Sequence, residues 1–194
     1  MINVRKQNKP SYECMLNAEL ALALCKQAKD SFKEYHCTTG FVFLAFAIEA
    51  MFIFYRRQVD SSYNKKDRTS RKDFHKTTMK LCGINNLLGS RDYQIIEKCL
   101  KARDSIAHGD FFESDFEYSP TTVDDHDMHV REIVSQSSEQ FRNITLKMLE
   151  EGIDAAKRID DLISDNGYKV DEHIDREFMP KLQPAFGVSG LSVW

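Results

Sequence analysis

GFVFLAFAIEAMFIFYRR, residues 40–57, decides the fold. Its apolar run from Gly40 to Tyr55 is interrupted by Glu49 and closes on Arg56 and Arg57. A helix that is apolar nearly all round must be surrounded by other elements, so this segment is expected to be the central, most buried one. The run is shorter than the roughly 20 residues that cross a bilayer, so a core helix is expected and no membrane partner. Thr38-Thr39-Gly40 reads as the break before it, and the helix is expected to continue to about Gln58.

Working outward, Met15, Ala18, Leu22, Cys25 and Phe32 recur at helical spacing, which predicts a helix from about Ser11 to Tyr35 with Ser11 as its N-cap. On the other side, residues 59–70 are polar and read as a connector. A short helix is expected over Asp73 to Leu81, stopped by Gly83, and another over Arg91 to His108, opened by Ser90 and ended by Gly109. Residues 110–128 are acidic, contain Ser119-Pro120 and lack periodicity, so a loop or flap is expected. The last long helix is expected from His129 to Ile163, followed by a polar tail from Asp165.

Composition agrees with a helical domain. Gly and Pro number only 8 and 4 in 194 residues, too few turn signals for many short strands, and the chain has the size of one domain. MINVRKQNKP at the start lacks the apolar centre of a signal peptide, and the five cysteines form no CxxC pair. A cytoplasmic location with reduced thiols is the simplest expectation. His36-Cys37 reads as a helix end, and His75 as part of a basic face.

The net charge of −3 is unevenly spread. Residues 55–80 carry nine Lys/Arg against three Asp/Glu, whereas residues 109–194 carry eight against nineteen. An acidic protein does not coat nucleic acid indiscriminately, but a local basic segment can follow a phosphate backbone. Arg56, Arg57, Lys65, Lys66, Arg68, Arg71 and Lys72 are the candidates for guiding RNA; a solvated connector would have the same composition.

The chemistry-bearing stretch is Leu100 to Asp110, LKARDSIAHGD. Arg103 and His108 stand five residues apart, about 7.5 Å along a helix axis. Asp104 is four residues before His108 and shares its face, so its carboxylate is expected to orient or charge the imidazole. Histidine titrates near neutrality and can move the proton of a 2′-hydroxyl, while the arginine fork can hold two phosphate oxygens. RNA cleavage needs little more, and no cofactor or metal is expected. Taken alone, R-x4-H is short and common: an arginine in a salt bridge and a histidine closing a helix leave the same letters.

Arg103-Asp104-Ser105-Ile106-Ala107-His108, late in a helix and behind a strongly apolar helix centred on Ile48-Glu49-Ala50, resembles the HEPN superfamily of small helical domains. The resemblance covers roughly residues 11–163, with its specific content in these two segments. It implies an up-and-down bundle of four to five helices over residues 1–164, with an acidic loop after the fourth. It also implies a homodimer in which two R-x4-H motifs face one cleft. Active members are metal-independent endoribonucleases of toxin and antiviral systems. His108 would then be general base or acid, Arg103 the phosphate-binding group, and Asp104 the polar residue that follows the arginine. Glu49 would support Arg103 or a neighbouring amide, or merely satisfy a buried polar contact. The alternative is a non-catalytic HEPN module that dimerises or binds a nucleotide or a protein partner.

One departure bears on partners. Members neutralised by a partner nucleotidyltransferase often have a tyrosine two residues after the histidine, where this chain has Asp110. Modification at that site is not expected, and an antitoxin or defence-system partner is left open. His126 and His129, among Asp124, Asp125 and Asp127, have a spacing too loose for a metal site, and no Gly-rich phosphate loop is present. The tail, residues 165–194, is expected to pack on the domain or on a dimer partner.

Overall fold

A computed structural model describes residues 4–6, 8–64, 69–108, 117, 119, 121–135, 143–169, 175–187 and 191–193. The architecture is all-α. Six α-helices stand among the described residues: α1 (Pro10–Gln27), α2 (Asp30–Val59), α3 (Arg71–Leu81), α4 (Arg91–His108), α5 (Val123–Ser135) and α6 (Leu146–Asn166). One short antiparallel ladder joins β1 (Val4–Lys6) to β2 (Leu191–Val193), pairing Val4 with Val193.

The expected centre of the fold is the observed one. Phe41, Leu44, Ala45, Ala47, Ile48, Met51, Phe52 and Tyr55 of α2 have no exposed surface, and α1, α3, α4 and α6 all pack on this helix. Its length differs from the expected one. The chain turns at Ala28-Lys29, not at Thr38–Gly40, so α2 runs for 30 residues. Gly40 is a packing position rather than a breaker: a Cβ there would lie 2.7 Å from Leu149 Cδ2 of α6 and 3.1 Å from Ala21 Cβ of α1. Removing the side chain lets three helices approach, and helical backbone tolerates the glycine at a cost of about 1 kcal/mol. The stretch Phe32–Val59 is long and apolar enough to cross a membrane: an 18-residue window within it has a mean hydropathy of 2.0, and 56% of that window is buried by the rest of the protein.

The longer α2 also changes the reading of His36-Cys37, which lies inside the helix instead of ending it. Cys37 is joined to Cys25 of α1 by a disulfide, which corrects the expectation of five reduced thiols. Cys14, Cys82 and Cys99 are free. The fold brings Cys25 and Cys37 together across the α1–α2 turn, a pairing that no CxxC spacing announces.

α4 begins where the sequence reading has it, at Arg91, and α3 begins two residues earlier than expected, at Arg71. Ser70 Oγ accepts from the Asp73 amide (3.1 Å) and Ser90 Oγ from the Tyr93 amide (3.1 Å), each satisfying one of the first-turn donors. Gly83 (φ 73°) ends α3, its amide bonded to Lys80 O and the next to Met79 O.

The region after α4 corrects two expectations. Residues 123–128 are helical rather than part of the acidic loop, the first turns of α5, because Thr122 Oγ accepts from the Asp125 amide (3.1 Å) and Asp125 reaches back to the Thr121 amide (3.0 Å). The helix expected from 129 to 163 is likewise not one element. α6 has its own start, with Thr145 Oγ accepting from the Met148 amide. Gly109 and most of residues 110–120 lie outside the described residues.

The tail packs on the domain. Leu182 and Ala185 are buried in the same core, and Asp160 of α6 accepts from the amides of Ala185 (2.7 Å) and Phe186 (2.9 Å) as well as from Tyr55 Oη (2.5 Å). Ser11, expected as an N-cap, is buried in α1 and donates to Ala185 O (2.7 Å); the residue before α1 is Lys9, with Pro10 in the first turn.

Candidate active site

Four charged side chains from three helices meet beside the buried centre of α2. Glu49 sits on α2, Arg71 in the first turn of α3, and Arg103 and Asp104 on the last turns of α4. Arg71 grips Asp104 with both terminal nitrogens, Nη1 to Oδ2 at 2.6 Å and Nη2 to Oδ1 at 2.9 Å. Its Nη2 also lies 3.2 Å from Glu49 Oε1. Arg103 donates through Nη2 to that same Glu49 oxygen, and its guanidinium lies 5.4 Å from the centre of the Phe46 ring.

The arrangement has a definite electrostatic sense. The hydrogen bonds from Arg71, aided by the charges of Arg71, Arg103 and His108, hold the Asp104 carboxyl below the ordinary carboxylate range. Asp104 in turn raises Arg71 above its usual value. Arg103 is the least exposed of the four, at 15% of its side chain, and its Nε is a buried donor without a hydrogen-bond partner, 3.5 Å from Asp104 Oδ1. His108 is exposed in the last turn of α4.

Asp104 was expected to orient or charge His108; its hydrogen bonds go to Arg71 on α3 instead, while the charge of His108 is still felt at its carboxylate. Arg71 was read only as one of a run of backbone-guiding cations. Its pairing spans 33 residues and has no local signature. The other cations separate. Arg56 bonds Asp60 (2.9 Å) and lies over the rings of Tyr63 and Phe74, while Arg57 and Lys72 are exposed. Lys65, Lys66 and Arg68 lie outside the described residues.

His75 corrects another expectation. It is 2% exposed, stacked on Phe52 at 3.7 Å, with Nδ1 3.0 Å from Tyr93 Oη. Burial, aided by the charge of Arg71, pushes its pKa down to about 3, so the ring is neutral. Among the described residues no three His, Cys, Asp or Glu are grouped to hold a metal ion. His129 Nδ1 instead lies 2.7 Å from the Asp125 carbonyl one turn back.

Between α2 and α3, next to this network, lies a cleft of about 290 Å³ bordered by Glu49, Ile53, Tyr63, Arg71, Phe74 and His75. Sequence reading missed it, because Tyr63 comes from the connector and the remaining residues are scattered over two helices.

No family model, curated protein or solved structure matches this chain.

Proposed function

We propose that the chain is a metal-independent endoribonuclease of the HEPN kind, acting as a homodimer in growth inhibition or antiviral defence. The observation that carries the reading is the ion pair between Arg103 and Glu49. It holds a guanidinium in a fixed, partly buried position five residues before an exposed histidine, on the helix whose sequence carries R-x4-H. A phosphate-binding arginine must be preorganised in this way if its charge is to be felt where negative charge develops.

In the reaction, His108 takes the proton of the 2′-hydroxyl and Arg103 holds the non-bridging oxygens. The 2′-oxygen bonds to phosphorus, the bond from phosphorus to the 5′-oxygen breaks, and His108 of the second copy protonates the departing oxygen. The products are a 2′,3′-cyclic phosphate and a 5′-hydroxyl. Support for a second copy comes from exposed apolar surface. Leu16, Leu20 and Leu24 recur at four-residue spacing on α1, and Phe46, against which Arg103 lies, is 42% exposed. Contiguous exposed apolar side chains mark association surfaces.

A second reading, a binding module without catalysis, is favoured by the engagement of both Arg103 and Asp104 within the protein. Expression in a host cell separates the two. The nuclease reading expects growth arrest by the wild type and none by His108→Ala at equal protein level; equal growth of both contradicts it.

A further inference from the structure

We propose that the groove between the start of α1, the end of α2 and α6 is a receptor for an extended, proline-containing peptide. Residues 182–186 of this chain occupy it as a strap in cis, and a segment of a partner protein with the same pattern can take their place. The proposal stands apart from RNA cleavage and uses none of the residues given a part in it.

The groove reads the backbone of the strap. Gln58 of α2 pairs with Gln183 twice, its Oε1 accepting from the Gln183 amide (2.9 Å) and its Nε2 donating to the Gln183 carbonyl (3.1 Å). Lys9 Nζ donates to the Pro184 carbonyl (3.1 Å), and Ser11 Oγ donates to the Ala185 carbonyl (2.7 Å). Asp160 of α6 accepts from the Ala185 amide on Oδ1 (2.7 Å) and from the Phe186 amide on Oδ2 (2.9 Å). Four side chains thus bond every polar backbone group from the Gln183 amide to the Phe186 amide. The one place where no acceptor waits belongs to Pro184, which has no N–H to satisfy. Capture of an extended segment by its main chain, with pockets for a few side chains, is a recurring mode of peptide recognition.

The receptor side is built for this ligand and asks little of its side chains. Lys9 and Asp160 are only 7% and 3% exposed, and buried charges need hydrogen-bond partners, which the strap's backbone supplies. Of the strap's side chains, Leu182 and Ala185, three residues apart, are buried, whereas Gln183 and Pro184 are exposed. The requirement reduces to leucine, any residue, proline and alanine, a pattern short enough for another protein to present. The strap also leaves space beside it. A cleft of about 330 Å³ lies against α6, bordered by Lys157, Asp160, Asp161, Pro184, Phe186 and Gly187, so the resident segment does not fill its site. A segment held by modest polar bonds and two buried side chains opens locally at less cost than unfolding the bundle.

The test is fluorescence anisotropy of a labelled peptide of residues 181–187, KLQPAFG, titrated with the full chain. Ala185→Glu sets a second carboxylate beside Asp160 and should expel the strap, with helicity by circular dichroism unchanged. That variant is expected to bind the peptide at least about tenfold more tightly than wild type, whose own strap competes at high effective concentration. A peptide N-methylated at the Phe186 amide lacks that donor and should bind the variant about fivefold more weakly; adding Gln58→Ala to the variant should weaken the unmodified peptide by a similar factor. Hydrogen exchange in wild type decides the matter if Ala185→Glu unfolds the bundle. Excess peptide should speed exchange of the Ala185 and Phe186 amides of the strap, and the same peptide with Ala185→Glu should not. A folded variant that ignores the peptide, equal binding by variant and wild type, or an N-methylated peptide that binds as well as the unmodified one overturns the proposal. So does unchanged exchange of the strap amides where the variant is unfolded, and residues 182–186 are then a fixed part of the bundle.

Discussion

Arg71 and Asp104 face each other as a two-pronged ion pair, 2.6 and 2.9 Å, across 33 residues of sequence, and so join the start of α3 to the last turns of α4. The pair shares Glu49 with Arg103, so the position of Arg103 depends on three helices at once. A change in Arg71 is therefore a change in the site as well as in the bundle.

A double-mutant cycle with Arg71→Ala and Asp104→Ala should give a coupling of about 1 kcal/mol, toward the upper end for a pair that is about a third exposed. The sign with pH follows from the lowered pKa of Asp104. The carboxylate's contribution is present above the unfolded-state pKa and is lost as pH falls through the folded-state value. The gap in urea midpoint between wild type and Arg71→Ala should therefore narrow on acidification below the ordinary carboxylate range.

His75 gives a second pH signature at higher pH. Its pKa is near 6.5 when unfolded and about 3 when folded, so below about pH 6.5 the unfolded chain binds a proton that the folded one does not. Stability should fall by about 1.4 kcal/mol for each pH unit between those values on account of this residue alone. His75→Phe removes that component, and the slope of unfolding free energy between pH 6.5 and 4 should be shallower than in wild type. Equal slopes contradict a buried neutral imidazole.

Asp160→Ala should cost about 3 kcal/mol or more. It strands the amides of Ala185 and Phe186 as buried or half-buried donors and leaves the Tyr55 hydroxyl only its longer bond to the carbonyl of residue 160 (3.1 Å). The readout that separates it from a simple cavity is local. Limited proteolysis should cut the variant within residues 175–187 faster than wild type at a temperature where the helices remain folded.

Leu20→Arg places a charge on the 59%-exposed leucine at the middle of the α1 stripe. The second copy that the ribonuclease reading requires should be lost, giving a monomer by light scattering with unchanged helicity. A wild-type protein that is itself monomeric at all concentrations contradicts that part of the reading.

The fold was legible wherever one helix's own residues decide its state. The apolar run of residues 40–57 announced the core, and Ser90 announced the start of α4. It was illegible where a distant partner decides. Gly40 looks like a breaker until Leu149 is packed against it, and His75 looks basic until Phe52 and Tyr93 enclose it. Thr122-x-x-Asp125 carried a helix-start signature that the acidic composition around it obscured. Within the site, Arg103, Asp104 and Glu49 stood out from R-x4-H and from a lone acid in an apolar helix. The grip of Arg71 on Asp104, and the cleft beside it, exist only once α3 is laid against α4 and α2, and no spacing encodes them.

The most direct test is cleavage of total RNA and transfer RNA by the purified protein in EDTA, beside Arg103→Ala and His108→Ala. Cutting that persists in EDTA, leaves 2′,3′-cyclic phosphate ends and disappears in both variants is the predicted result. Wild-type protein that is a folded dimer yet cuts no RNA, or variants that cut as well as wild type, would contradict the account.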